Sequence, residues 1–282
     1  MTTITHILPS LNERKIELDR FLQSLARART SALLLDYDGT LSPFCLDRDA
    51  AFPYGNVGSL LQQIMAGGRT RVVIVTGRDA QEMVPLLGMN PVPEIWGSHG
   101  LQRLRPDGTC EMPFIDADAA FALRRAGQWL AGEGLDNATE FKPGGIAVHW
   151  RGQSRSRSAE MRERVLRGWF PIAQEALLSI LEFDGGVEIR VPDLDKGDAV
   201  RTVVSEIDPA APVAYLGDDV TDERAFRALG SRGLSILVRP EWRTTSARVW
   251  LRPPDELLEF LNQWLQVCTA GTASTGSTSG DL

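Results

Sequence analysis

Residues 31–43 read Ser31-Ala32-Leu33-Leu34-Leu35-Asp36-Tyr37-Asp38-Gly39-Thr40-Leu41-Ser42-Pro43, an apolar run that breaks into two carboxylates and a glycine. Ala32 to Leu35 has the continuous hydrophobicity of a strand buried on both faces, as in a parallel sheet. In open α/β sheets, ligands lie beyond the carboxyl ends of the strands, where Asp36 and Asp38 fall. Residues two apart in extended chain point to one side, so both carboxylates can face one reacting centre. Gly39 lets the backbone turn away immediately afterwards. Two other functional readings fit less well. An EF-hand loop needs glycine at its sixth position and glutamate at its twelfth, whereas here the glycine is fourth and Asp47 is twelfth. A Walker B strand needs a partner loop ending in Gly-Lys, and the chain has no Gly-Lys pair. A plain acidic turn remains open on this stretch alone.

Working outward, strand and helix signals alternate. Glu13–Arg29 places Ile16, Leu18, Phe21, Leu22 and Leu25 at helical spacing. Val57–Met65 reads as a helix stopped at Gly67-Gly68. Arg71–Val75 is a β-branched strand ending in Thr76-Gly77-Arg78, with Asp79 as the cap of a helix to Leu87. Glu94–Gly97 is a further strand, breaking into Ser98-His99-Gly100. After Lys196-Gly197 the same rhythm resumes. It gives helix 198–207, strand 213–216 ending in Gly217-Asp218-Asp219, helix 221–229, strands 234–238 and 248–251, and a closing helix 254–266. This order predicts an α/β fold with a Rossmann-like, doubly wound parallel sheet.

Between the two halves the pattern changes. Arg105-Pro106-Asp107-Gly108 signals a hairpin within 101–112, and 117–130 is an amphipathic helix. Short strands 140–142 and 146–151 flank Pro143-Gly144-Gly145. Residues 158–183 read as a helix bent or broken at Pro171, and 187–191 alternates as a strand. This region is expected to be an inserted α+β cap domain. The predicted organisation is an N-terminal helix over 1–30, a core domain of 31–104 and 194–267, and a cap of 105–193. Hinges are expected near Gly100–Leu104 and Pro192–Lys196. The Gly/Ser/Thr-rich 268–282 is expected to be disordered.

Bulk properties narrow the function. Hydrophobic residues make up 43% and charged residues 24%, the balance of a soluble globular protein. A net charge of −7 argues against a nucleic-acid partner. Cys45, Cys110 and Cys268 are widely spaced, which suits reduced thiols better than a disulfide framework or zinc site. Met1–Lys15 has no apolar leader core and no run approaches membrane-spanning length, so the expectation is a cytoplasmic protein with no membrane partner.

Four strand ends or their flanks thus carry polar groups: Asp36 and Asp38, Thr76, Lys196, and Asp218 with Asp219. Together they resemble the haloacid dehalogenase superfamily. Within it, the chain is similar to the trehalose-6-phosphate phosphatases. The likeness rests on Leu35–Leu41 with Pro43, Thr76-Gly77-Arg78, Gly97-Ser98-His99-Gly100, Glu140 with Lys142, His149-Trp150-Arg151, Glu188 with Arg190, Lys196-Gly197 and Leu216–Glu223. It spans 31 to about 264 and departs from the pattern at Trp150, where tyrosine is usual, and at Arg224, where an acid is common.

The resemblance implies phosphate-ester hydrolysis through a covalent carboxyl-phosphate. Asp36 is the implied nucleophile, and Asp38 the acid that protonates the leaving sugar oxygen and then activates water. Lys196 offsets phosphate charge and Thr76 donates a hydrogen bond. Mg²⁺ is the implied cofactor, held by the Asp36 side chain, the Asp38 carbonyl and Asp218. Asp219 and Asp222 are expected to orient metal waters or Lys196. Glu140, Lys142, His149, Arg151, Glu188 and Arg190 are expected to form a face for a polyhydroxylated sugar, although a solvated face of cross-strand ion pairs has the same pattern. His99 reads as a hinge or packing residue, and His6 is given no role. The implied partners are a small sugar phosphate and a trehalose-6-phosphate synthase that supplies it. Another glycosyl phosphate, of sucrose or glucosylglycerol, and a catalytically silent sugar-phosphate sensor are the rival readings.

Overall fold

The computed structural model describes residues 11–273 except Leu46, Asp193 and Leu194. In the first half of the chain come α1 (Leu11–Arg27), β1 (Ser31–Leu35), α2 (Val57–Ala66), β2 (Thr70–Val75), α3 (Met83–Leu87), β3 (Glu94–Gly97), β4 (Gln102–Leu104) and β5 (Cys110–Glu111). The middle holds α4 (Ala117–Gly132), β6 (Thr139–Lys142), β7 (Gly145–His149), α5 (Arg155–Glu175), β8 (Ser179–Phe183) and β9 (Gly186–Arg190). The last part is α6 (Lys196–Ser205), β10 (Val213–Gly217), α7 (Asp222–Leu229), β11 (Leu234–Val238), β12 (Val249–Leu251) and α8 (Asp255–Ala273).

The main sheet has eight strands in the order β12-β11-β10-β1-β2-β3-β4-β5. Pairing is parallel from β12 to β3 and antiparallel at the β4 and β5 edge. β1 lies at the centre, between β10 and β2, because its side chains are apolar on both faces. Leu33 and Leu35 join one core with α1, α2, α3 and α8, while Ala32 and Leu34 join another with α6 and α7. Helices therefore cover both sides of the sheet, the expected α/β arrangement. The order reverses direction around β1, and the carboxyl ends of β1, β2 and β10 open onto one crevice.

The middle segment builds a four-stranded antiparallel sheet in the order β6-β7-β9-β8. Ile146, Val148, Val187 and Ile189 pack with α4 and α5. The other face of the same strands carries Glu140, Lys142, His149, Glu188 and Arg190, the alternation that period-two geometry demands.

Several sequence expectations are corrected. The helix predicted over 158–183 is α5 followed by β8. Pro171 sits within continuous helix, which starts three residues earlier under a Ser154 cap that accepts from the Arg157 amide. β8 is a sheet edge whose residues are half-buried or exposed, so it lacks the alternation that marks a strand. The helix expected from Asp79 begins only at Met83; the Asp79 carboxylate instead accepts from the Gln81 amide and Gln102. Sheet pairing continues through β5, beyond residue 105, the expected start of the cap. Gln102–Leu104, expected as part of a hinge, is hydrogen-bonded into the sheet. The second hinge, 192–196, includes two residues outside those described. Thr269 to Ala273, expected to be disordered, continue α8, and Cys268 on that helix is buried in the core, while 274–282 lie outside the described residues. Among the described residues the three cysteines are free, and no helix is long and apolar enough to cross a membrane.

Candidate active site

Asp36 stands one residue beyond β1, its amide held by the Leu216 carbonyl at 2.8 Å, so the β1–β10 pairing fixes its place. Its Oδ1 accepts from Lys196 Nζ at 2.6 Å and its Oδ2 from Thr40 Oγ1 at 3.3 Å. Lys196 opens α6 and donates a second bond, 2.8 Å long, to Asp222 Oδ1. Asp218 follows β10 and is buried, yet neither carboxylate oxygen has a hydrogen-bond partner. The nearest cation, Arg239, comes no closer than 3.9 Å. Gly39 makes this packing possible: its backbone has φ +85°, and a Cβ there would stand 2.3 Å from Asp218 Oδ2.

Oxygens of Asp36, Asp218 and Asp222 all lie within 4.8 Å of one another. The three are not equivalent. Asp222 is saturated: Oδ1 accepts from Lys196 and, at 2.6 Å, from the Tyr215 hydroxyl, while Oδ2 accepts from the amides of Asp218 and Asp219 at 3.1 and 3.0 Å. It therefore positions Lys196 and the β10–α7 turn. Three carboxylates around one ammonium leave an excess of two negative charges in a buried site. Burial first, then Asp222, pushes the Asp36 carboxyl up to about 7 despite Lys196. Burial, then Asp36 and Asp222, raises Asp218 well above the carboxylate range. Burial lowers the Lys196 ammonium, but Asp222 and Asp36 outweigh it and the net direction is up. The unpartnered oxygens of Asp218 and the singly bonded Oδ2 of Asp36 fit a hard divalent cation, whose charge cancels that excess. Asp222 has no free lone pair in this arrangement to offer such a cation.

Asp38 points to the same crevice, but a neighbour that the sequence reading quoted without giving it a role holds it. Arg78 donates to both its oxygens, Nε to Oδ2 at 2.7 Å and Nη2 to Oδ1 at 2.6 Å. Arg78 Nη1 also donates to the Arg48 carbonyl at 2.8 Å. Thr76 lies at the end of β2 with its amide on the Trp96 carbonyl at 2.8 Å. Its Oγ1 accepts from the Arg78 amide at 3.2 Å, which leaves the hydroxyl proton available to donate. Asp219 also lines the crevice, and its carboxylate accepts from the amides of Val220 at 2.7 Å and, in the β8–β9 turn, Asp184 at 3.3 Å.

The second sheet closes over this crevice. Glu140, Lys142, His149 and Arg151 line it together with Asp36, Asp38, Arg48 and Lys196. Glu140 accepts from Arg48 at 2.6 Å and lies 2.7 Å from His149 Nε2. Burial would raise the Glu140 carboxyl, but Lys142, the bond to His149 and Arg48 hold it down at about 2. Arg151 stacks over the Phe44 ring, 4.1 Å from its centroid, and donates to the Asp184 carbonyl at 2.6 Å. Glu188 and Arg190, expected beside these on the sugar face, do not line the crevice. Glu188 is 2% exposed and is clamped between Lys142 Nζ at 3.0 Å and His99 Nε2 at 3.3 Å. They share the face but occupy the inner strand β9, so the seam between the two sheets covers them. His99, at φ 58°, is the packing residue expected: burial above all lowers its pKa, although Glu188 pulls the other way. Arg48 and Phe44 carried no motif, and no signal in the sequence marks them.

The strand-end carboxylates on a doubly wound sheet, with an inserted sheet above, define a member of the haloacid dehalogenase superfamily. The trehalose-phosphatase family model matches residues 34–249. A trehalose-phosphate phosphatase of Mycobacterium marinum is 35% identical over 263 residues, covering 86% of this chain and 65% of the relative. One from Mycobacterium tuberculosis is 31% identical, covering 93% and 70%. The chain thus spans just under two thirds of the Mycobacterium marinum relative. Among solved structures, the C-terminal domain of a trehalose-6-phosphate phosphatase from C. albicans superposes with a TM-score of 0.73 at 20% identity, over 94% of this chain and 99% of that one. A haloacid dehalogenase-like hydrolase from B. subtilis gives 0.59 at 13% identity, over 83% and 99%. The chain belongs to the trehalose-phosphatase family.

Proposed function

We propose that this protein is a Mg²⁺-dependent phosphatase that converts trehalose 6-phosphate and water to trehalose and phosphate, as a step of trehalose biosynthesis in the cytoplasm. The observation that carries the reading is the buried excess of negative charge around Asp36 and Asp218, beside a lysine and a separately held carboxylate at Asp38. Mg²⁺ would be held by the side chains of Asp36 and Asp218 and by the Asp38 carbonyl. When bound it supplies positive charge between an anionic nucleophile and an anionic phosphate.

An Asp36 oxygen attacks phosphorus as the bond from phosphorus to the sugar oxygen breaks. Asp38, protonated at that moment, gives its proton to the departing oxygen. In the second half, Asp38 takes a proton from water, the water oxygen bonds to phosphorus, and the Asp36 carboxylate is released. Lys196 keeps Asp36 oriented and offsets phosphate charge, with Asp222 holding Lys196 in turn, and Thr76 donates its hydroxyl to a phosphate oxygen. Residues of the inserted sheet form the cap: Glu140, Lys142, His149 and Arg151 meet the sugar, while Glu188 and Arg190 support them from the seam. A trehalose-6-phosphate synthase is the matching source of substrate.

The test is phosphate release from trehalose 6-phosphate, sucrose phosphate and glucosylglycerol phosphate, each with Mg²⁺ and with a chelator. The reading expects metal-dependent turnover that is fastest on trehalose 6-phosphate. Preference for another glycosyl phosphate would move the substrate and keep the chemistry. No turnover of any, with tight binding of one, would leave a sensor.

A further inference from the structure

The carboxylate at position 38 is tied to the cap through a continuous run of hydrogen bonds that the chemistry described so far does not use. Arg78 grips both oxygens of Asp38 at 2.6 and 2.7 Å. The remaining arm of the same guanidinium donates to the Arg48 carbonyl at 2.8 Å. The Arg48 side chain then crosses to the inserted sheet and donates to Glu140 Oε1 at 2.6 Å, while Glu140 Oε2 engages His149 at 2.7 Å. Arg48 opens a single 3₁₀ turn, Arg48–Ala50, capped by the Asp47 carboxylate on the Asp49 amide at 3.1 Å. The far side of this turn is pinned to the core as well: the Tyr37 hydroxyl, between the two aspartates in sequence, donates to the Ala51 carbonyl at 2.7 Å. The Arg78 guanidinium lies 5.7 Å from the centroid of that tyrosine ring.

A short turn held on the core side by Tyr37 and Arg78 and on the cap side by Glu140 transmits displacement between them. Arg78 is buried and its fork geometry is fixed, so a shift of the Arg48 carbonyl re-aims the guanidinium and the carboxylate it holds. Misplacing a catalytic group by about 1 Å can cost roughly 10²-fold in rate.

We propose that Arg48 is a positioning residue that couples docking of the cap at Glu140 to the aim of the acid–base carboxylate Asp38 through Arg78. This rests on the phosphatase reading. It assigns Arg48 no contact with the reacting atoms, and the run joins protein groups alone, so it acts on small substrates too.

The measurement is kcat/KM on a series of substituted phenyl phosphates of similar size whose leaving phenols differ in acidity. Proton donation by Asp38 matters most for the least acidic phenols and least for nitrophenol. Arg48→Gln should steepen the dependence on leaving-group pKa: on the order of 10-fold loss on phenyl phosphate and less than about 2-fold on nitrophenyl phosphate. Glu140→Gln should reproduce that steepening without touching Arg48, the double variant should be no steeper than either single one, and Arg48→Lys should restore most of the slope. An unchanged slope in Arg48→Gln and Glu140→Gln, whatever happens to KM, overturns the coupling. The wild type separates the two levels: failure to hydrolyse any phosphate ester refutes the phosphatase reading itself, whereas normal wild-type turnover with unaltered slopes refutes only the coupling.

Discussion

The two polar surfaces that meet at the crevice are both rich in charge, but they balance it differently. At the strand ends of the core, Asp36, Asp218 and Asp222 share a single ammonium, and the Asp218 oxygens stand bare. Across the gap, the cap carboxylates are each paired, partly from the core: Glu140 is matched by His149 and by Arg48 of the core, and Glu188 by Lys142 and by His99 of the core. In the core both Asp218 oxygens lack a partner, whereas the cap carboxylates Glu140 and Glu188 are paired and the unpartnered buried atom on their face is a donor, Arg190 Nε. A charge imbalance in a buried site identifies chemistry; a balanced set of ion pairs identifies a surface that can hold its shape or trade contacts.

Removing the centre of the imbalance should have the largest effect. Asp36→Asn is expected to lower turnover by on the order of 10⁴-fold or more while circular dichroism and melting stay native, since the nucleophile and not the fold is lost. Glu188→Ala should act in the opposite sense, on the fold. It strands Lys142 and His99 in the seam, and loss of one partner of a buried pair costs about 3–5 kcal/mol, read as a lower midpoint in urea. Equal and unchanged midpoints would mean that Glu188 faces the sugar and not the seam.

The pH response separates the regions further. Glu140 is held at about 2 against an ordinary value of 4.5, so the stability it contributes is fully present above pH 4.5 and is lost as pH falls toward 2. That difference corresponds to roughly 3 kcal/mol, before solvent screening reduces it. Glu140→Gln should flatten the dependence of unfolding free energy on pH in that window, and a slope identical to wild type would contradict the pairing. Last, Asp218→Asn should stabilise the metal-free protein by about 1–2 kcal/mol, because it removes a buried carboxyl that has no partner and resists ionisation. The same change should abolish the rise in melting temperature caused by Mg²⁺. A destabilised variant that still responds to Mg²⁺ would place the cation elsewhere.

What the sequence revealed follows the same division. Asp36, Asp38 and Asp218 were legible because buried parallel strands announce themselves as apolar runs and their carboxyl ends must converge, whereas Lys196, which opens α6, stood out only through the family pattern as a whole. Period-two alternation correctly put Glu188 and Arg190 on the face of Glu140 and Lys142. It could not tell depth, which depends on where one sheet lies against another. Arg48 and Phe44 were invisible because a loop between strand and helix has no period, and its partners are set by tertiary packing. Arg78 was quoted as part of Thr76-Gly77-Arg78, but only the fold shows its fork on Asp38. β8 escaped because an edge strand after a long helix, half-buried on both faces, has neither rhythm.

The central claim is that the Asp36 side chain carries the phosphoryl group during turnover. Acid quench of a single turnover of trehalose 6-phosphate, followed by mass spectrometry of the peptide containing residues 31–43, tests it directly. The account predicts transient addition of one phosphoryl group at Asp36, absent in Asp36→Asn. Full release of phosphate with that peptide unmodified at every time point would contradict it.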